Sequence, residues 1–305
     1  MITVVVDLSV VVHQIHNSIE AAGGLPPDAR KGAVSANLAW MLSGHWLGSL
    51  VKPGDFQIIC VGDAKPYWRS EYLLRPSVYG SVVTRKLSRH KVPRITEKPH
   101  GPIHYKAGRK LPKRTLTKAK EQTYETLQAK GARVLRLTGY EADDLAAAVT
   151  VISRDFPDNR IILATVDSDW MGLVSPWVSW FCLYGYFPRL RDTMEPINQW
   201  CLRRIKTTIE TPRDLWKIKA SQGDKSDNLP PGSPLEVIDL LSPPEGHRLW
   251  ENTQVSGVIR HWLSEPQEPL VTDPDEALDY LRACGLQPAI RPFDPDSDLY
   301  YPEVA

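Results

Sequence analysis

The stretch Gly139-Tyr140-Glu141-Ala142-Asp143-Asp144-Leu145-Ala146 most constrains this chain, because three carboxylates fall within four residues. They follow an apolar run, Arg133 to Thr138, that predicts a strand, and they open a run, Leu145 to Ile152, that predicts a buried helix. Carboxylates at a strand-to-helix switch either cap the helix and complement its dipole or hold a hard cation with oxygen ligands. Capping suffices for one such cluster, but the arrangement recurs. Ile2 to Val6 is a β-branched run that stops at Asp7, and Phe56 to Val61 is a second strand followed by Gly62-Asp63. Ile161 to Val166 runs into Asp167-Ser168-Asp169.

Strands separated by helical segments predict an α/β fold with a doubly wound, mostly parallel sheet. In such a sheet the C-terminal strand ends share one edge, where ligands bind. Asp7, Asp63, Glu141 and Asp167 each sit just past a predicted strand end. Four carboxylates there would repel one another strongly, and divalent cations supply the counter-charge. On a helix Glu141 and Asp144 are one turn apart while Asp143 points elsewhere, so a division between two ions fits better than one site. Asp167 and Asp169 could both face the crevice.

Between and beyond these strands the spacing predicts helices over Asp28 to Leu50, from Ala64 to Leu74 and over Thr115 to Lys130. Further helices are expected at Glu195 to Ile209, Pro212 to Gln222, Leu235 to Leu241, Gly246 to Leu263 and Pro274 to Cys284. Pro76 to His104 has no clear period and reads as a loop or insertion. The second of the later helices ends in Gly223-Asp224-Lys225-Ser226-Asp227-Asn228, either a glycine C-cap with a turn or two further oxygen ligands, Asp224 and Asp227.

Charge is uneven. The chain of 305 residues carries a net +1, yet Arg85 to Lys120 holds 13 Lys or Arg against the single acid Glu97, or +12. Such a segment is either a solvated run or a surface for a polyanion, and so large an excess favours the polyanion. The stretch from Glu265 onward is acidic and reads as a solvated tail. The N-terminal apolar run is broken by Asp7, which predicts neither a signal peptide nor a membrane span. Four cysteines without CxxC spacing read as reduced thiols with no zinc site. Most of the ten tryptophans are expected in the core rather than as base-stacking platforms.

Taken together, the motifs resemble the 5′-nuclease family: flap endonucleases, the N-terminal nuclease domain of bacterial DNA polymerase I, and phage 5′→3′ exonucleases and RNase H. The carrying residues, in the family's order over roughly residues 1 to 230, are Val6-Asp7, Asp63 with Tyr67-Trp68-Arg69, Tyr105-Lys106-Ala107-Gly108-Arg109, Glu141-Ala142-Asp143-Asp144, Asp167-Ser168-Asp169 and Gly223-Asp224-Lys225-Ser226-Asp227-Asn228. Asp63-x-Lys65 followed by Tyr67-Trp68-Arg69 looks most like the phage members.

The resemblance implies two Mg²⁺ or Mn²⁺ ions. Asp7, Asp63, Glu141 and Asp143 would hold the first; Asp143 or Asp144 with Asp167, Asp169 and Asp224 would hold the second, with Asp227 acting directly or through water. It further implies two-metal phosphodiester hydrolysis to 5′-phosphate and 3′-hydroxyl products. Lys106 and Arg109, with Arg69, would steer the scissile phosphate. Lys86, Arg89, Lys110, Lys113, Arg114, Lys118, Lys225, Ser226 and Asn228 would contact nucleic acid.

The expected organisation is an α/β nuclease core over 1–190, with a basic arch or insertion at about 76–120. A helical duplex-binding subdomain and the acidic tail would occupy 191–305. The expected substrates are DNA with 5′ ends or flaps and RNA primers in hybrids. The protein is expected to be a free-standing cytoplasmic monomer of a bacterium or a phage-infected cell, working beside a replication or single-stranded-DNA-binding partner and away from membranes.

Two features depart from the family. Leu229-Pro230-Pro231-Gly232-Ser233-Pro234-Leu235 stands where the family has a glycine-rich hairpin, and its prolines remove N–H donors. Duplex anchoring and a monovalent-ion site are therefore in doubt. The segment between Arg69 and Lys106 is also longer than the family's. Two rivals stand beside this reading. A PIN-type ribonuclease shares the acidic crevice but is disfavoured by the full Gly-Asp-x-x-Asp-Asn segment. A catalytically silent structure-specific nucleic-acid-binding protein has little reason to keep so much repulsion.

Overall fold

The computed structural model describes residues 1–52, 55–65, 83–87, 93–99, 114–183, 190–222, 248–265, 267–271 and 273–294. Five strands form a parallel array: β1 (Ile2–Asp7), β2 (Phe56–Gly62), β5 (Arg133–Arg136), β6 (Arg160–Thr165) and β7 (Val178–Cys182). A short strand β8 (Leu190–Arg191) adds to β7 antiparallel, and the order across the six-stranded sheet is β5-β2-β1-β6-β7-β8. The chain works outward from β1 to β5, then returns across β1 to build the other half. That reversal places a switch point at β1, where crevices open in such sheets.

Alternation along each strand decides the layers. Val4 and Val6 of β1, Ile58 and Cys60 of β2 and Ile162 and Ala164 of β6 face one core. Helices α1 (Leu8–Ala21), α2 (Pro27–Ser43), α3 (Arg114–Ala129) and α8 (Asp275–Ala283) cover it. Val5, Ile59, Val61, Ile161 and Leu163 face the opposite core under α4 (Ala142–Ile152) and α7 (Thr253–Ser264). Helices α5 (Met194–Arg204) and α6 (Asp214–Gln222) pack on the same second core through Ile197, Cys201 and Leu215. The doubly wound expectation is met: strands buried on both faces carry continuous apolar runs.

Local chemistry sets the helix limits. Pro27 opens α2 and Gly44, at φ +68°, closes it in the left-handed region that glycine tolerates. Asp28–Leu50 is therefore α2 followed by a 3₁₀ turn, His45–Leu50. Strand β5 ends at Arg136, two residues short of the expected limit, and α5 ends at Arg204 rather than 209, because Lys206 takes a left-handed φ of +60°. Ala64 and Lys65 are not helical; Ala64 instead exchanges backbone bonds with Tyr140 and Gly139. The rest of the helix expected there, and that at Leu235 to Leu241, lie outside the described residues.

Two expectations are corrected. Within the segment read as loop, β3 (Val83–Leu87) and β4 (Pro93–Pro99) pair antiparallel. Basic residues interrupt the apolar alternation that would have signalled strands, whereas backbone pairing needs no apolar face. The stretch after Glu265 is not a solvated tail over residues 273–294. Leu281, Leu286, Ile290 and Phe293 are buried in the first core, and Trp40 Nε1 donates to Ile290 O at 2.8 Å. Ala289 N donates to Asn37 Oδ1 and Phe293 N to Trp46 O, both at 2.7 Å. Acidic composition hid four apolar anchors spaced for docking.

All four cysteines are free thiols. Among the described residues no helix is long and apolar enough to cross a membrane. Trp46, Trp170 and Trp180 are fully buried, as core tryptophans should be, whereas Trp177 is exposed.

Candidate metal centre

Asp7 is the last residue of β1 and the N-cap of α1. Its Oδ1 accepts from Ser9 N at 3.0 Å and Val10 N at 3.3 Å. Its Oδ2 accepts from Thr165 Oγ1, at the end of neighbouring β6, at 2.9 Å. The carboxyl is buried, and its pKa is pushed up to about 7 by burial first and then by Asp63 and Asp167, against the pull of the Thr165 hydroxyl. The carboxyls past two neighbouring strand ends thus lie close enough to add to the effect of burial on Asp7.

Asp63 follows β2. Its Oδ2 accepts from Ser9 Oγ and its Oδ1 from Ala142 N, each at 2.9 Å. It thus joins the start of α1 to the first N–H of α4. Lys120 of α3 reaches Ser9 Oγ at 3.4 Å, which brings a cation to the same crevice. Arg136 Nε donates to Asp63 O at 3.2 Å, and its guanidinium lies 4.3 Å from the Tyr124 ring centroid. The phenol of Tyr124 is pushed upward by burial and then by Asp63.

Glu141 is the N-cap of α4. Asp144 Oδ2 accepts from Glu141 N at 3.0 Å, the return half of a capping box, and Asp144 is fully buried. Capping, the alternative reading of this cluster, accounts for Asp144. Asp143 is half-buried beside it.

Asp167 caps the 3₁₀ turn Ser168–Leu173 through Asp169 N at 2.9 Å, and its own N–H donates to Thr165 Oγ1 at 3.0 Å. Asp169 forms an ion pair with Lys219 of α6, both side chains being largely shielded from solvent. Trp216 of the same helix donates to Asp169 O at 2.9 Å.

The structure thus brings Asp7, Asp63, Glu141 and Asp167 to one sheet edge, with Asp143 and Asp144 in the first turn of α4 and Asp169 in the 3₁₀ turn after β6. Oxygen donors at mutually repelling strand ends suit a hard cation. As they stand, though, no three His, Cys, Asp or Glu side chains among the described residues converge to hold an ion. Several of these oxygens are committed to neighbouring N–H and O–H groups.

Arg69, Arg89, Lys106, Arg109, Lys110, Lys113, Asp224, Lys225, Ser226, Asp227 and Asn228 lie outside the described residues. Lys86 pairs with Arg94 in the β3–β4 ladder, Arg114 opens α3, and Lys118 is exposed on α3. Ser9, Thr165, Lys120 and Lys219 were missed by sequence reasoning. The first two had a signal, a hydroxyl two residues from a strand-end acid. The lysines had none, since only packing brings α3 and α6 to this edge.

Residues 97–198, which contain Glu141, Asp143, Asp144, Asp167 and Asp169, match a family model described as the 5′-3′ exonuclease, N-terminal resolvase-like domain. The match covers about a third of the chain. No curated protein matches the chain significantly.

Several solved structures from bacteriophage T5 are similar over nearly the whole length. A protein co-crystallised with metal ions has 14% identity and a TM-score of 0.48, covering 93% of this chain and 94% of that one. A flap endonuclease in a pseudo-enzyme–product complex with DNA and metal ions has 17% identity and a TM-score of 0.47, with coverage of 93% and 94%. The 5′-exonuclease with bound zinc has 18% identity and a TM-score of 0.47, with 95% coverage of both chains.

Proposed function

We propose that this chain is a divalent-metal-dependent 5′ nuclease, acting as a 5′→3′ exonuclease and flap endonuclease on DNA and on RNA primers in hybrids. One observation carries the reading: Asp7, Asp63, Glu141 and Asp167 share the C-terminal sheet edge, and Asp7 is pushed up to about 7 by burial and by its acidic neighbours. A capping role explains any one of these acids but not the gathering of four at one edge.

Asp7, Asp63, Glu141 and Asp143 are the residues to hold one Mg²⁺ or Mn²⁺, and Asp143 or Asp144 with Asp167, Asp169 and Asp224 a second, with Asp227 acting directly or through water. When bound, such ions supply an activated water and charge stabilisation for in-line hydrolysis. The chain's own part is positional. Thr165 orients Asp7 and, through the N–H of Asp167, the second strand end. Ser9 holds Asp63 against Lys120. Lys106, Arg109 and Arg69 are assigned to steering the phosphate.

A silent nucleic-acid-binding protein is the second reading, favoured by the commitment of Asp169 to Lys219 and of Asp144 to the capping box. One assay separates the two. A 5′-labelled flap, a nicked duplex and an RNA–DNA hybrid are each offered with Mg²⁺ and the products mapped. Cleavage to 5′-phosphate products that stops in EDTA is expected; binding without cleavage selects the second reading, and cleavage persisting in excess EDTA overturns metal dependence.

A further inference from the structure

Between α1, α2 and the first half of α3 lies a cavity of about 250 Å³. Its floor is apolar, made by Val12, Ile15, Ile19 and Val34, all buried. Its rim carries Lys31 from α2 and Lys118 from α3, both exposed. Arg30 also lines it but is paired with Glu20 at 2.6 Å. In the wall stands His16, 7% exposed, whose Nδ1 finds no hydrogen-bond partner. A buried imidazole nitrogen without a partner costs free energy.

The cavity is distinct from the acidic edge yet shares its walls. Ser9, which touches Asp63, precedes His16 on α1 by about two turns, or roughly 10 Å. Lys120, which touches Ser9, lies two residues from Lys118 on α3.

The lining selects its ligand by chemistry. An apolar floor takes a flat, weakly hydrated group, and two lysines take an anion. The volume is below the roughly 300–1,000 Å³ of drug-sized pockets, which limits the occupant to something about as large as one nucleotide. We propose that this cavity seats a single unpaired nucleotide, its base on the Val12–Ile15–Val34 floor and its phosphate between Lys31 and Lys118. The strand it belongs to would run from the acidic crevice, and in that respect the proposal rests on the nuclease reading.

The test uses the full chain in EDTA, so that no cleavage occurs. Equilibrium binding is measured for thymidine 5′-monophosphate, thymidine, inorganic phosphate and tetrathymidylate. The monophosphate should bind saturably and compete with tetrathymidylate, while thymidine and phosphate bind more weakly. Lys118→Ala should weaken the monophosphate about tenfold, the scale of one charge-assisted contact. Ala119→Phe, which fills the cavity, should abolish binding; Lys118→Glu is the surface alternative should that variant unfold. Monophosphate affinity unchanged in these variants, or no better than that of phosphate alone, overturns the proposal. Nucleotide binding without Mg²⁺-dependent cleavage would leave the cavity standing and remove the nuclease reading; cleavage without nucleotide binding would do the reverse.

Discussion

Thr165 Oγ1 donates to Asp7 Oδ2 at 2.9 Å and accepts from Asp167 N at 3.0 Å, so one fully buried hydroxyl orients the acids at two adjacent strand ends. Thr165→Val keeps the shape and removes both bonds. Losing a hydrogen bond to a charged group costs about 1.5–3 kcal/mol, and single-turnover cleavage of a 5′ flap should fall about tenfold or more. A wild-type rate with an unchanged circular dichroism spectrum would show that the hydroxyl serves packing alone.

Asp167→Asn removes charge at the same edge without changing shape. The rate should fall at least about 100-fold, given the several kcal/mol that metal clamping supplies. Flap binding in Ca²⁺ should persist, because phosphate contacts supply most of the affinity. Gel-shift titration beside rapid-quench kinetics checks both halves.

Lys219 and Asp169 are a shielded pair linking α6 to the 3₁₀ turn after β6. Lys219→Met strands a carboxylate and should destabilise the fold by about 3 kcal/mol. Lys219→Met combined with Asp169→Leu should recover part of that loss in urea melts. A double-variant loss equal to the sum of the losses from Lys219→Met and Asp169→Leu alone would mean the two residues are energetically independent.

Leu281 tests whether the acidic C-terminal stretch belongs to the fold. It is fully buried against α2. Leu281→Ala should cost about 2–5 kcal/mol, whereas a residue of a solvated tail would cost nothing measurable by thermal or urea unfolding.

Asp214 opens α6, where its carboxyl is pulled down to about 2 by Lys217 first and then by Thr211 N. A folded value below the unfolded one, about 3.9, gives stability that is present above that pH and lost as pH falls toward 2. Asp214→Ala should cost about 1 kcal/mol at pH 7, as loss of a cap does. The difference from wild type should close between about pH 4 and pH 2. Urea midpoints measured across that range decide it, and a gap that persists at pH 2 would place the effect in helix packing rather than charge.

Much of this molecule was legible in the linear chain because its signals are local. A β-branched run ending at Asp7 implies a buried strand, and the same punctuation at Asp63, Glu141 and Asp167 implies a common edge once the strands are parallel. The pairing of β3 with β4 and the docked segment around Leu281 were not legible. Basic and acidic residues masked their patterns, and each is stabilised by partners remote in sequence or by backbone pairing alone. The sequence by itself determined the doubly wound sheet and which acids reach its edge, since alternation and strand ends depend only on neighbours. Only the tertiary structure decided what each acid does there: Asp144 turned inward to cap α4, Asp169 tied to Lys219, and Asp7 lifted by burial beside Asp63. Those roles depend on distances between side chains from different elements, and packing sets such distances.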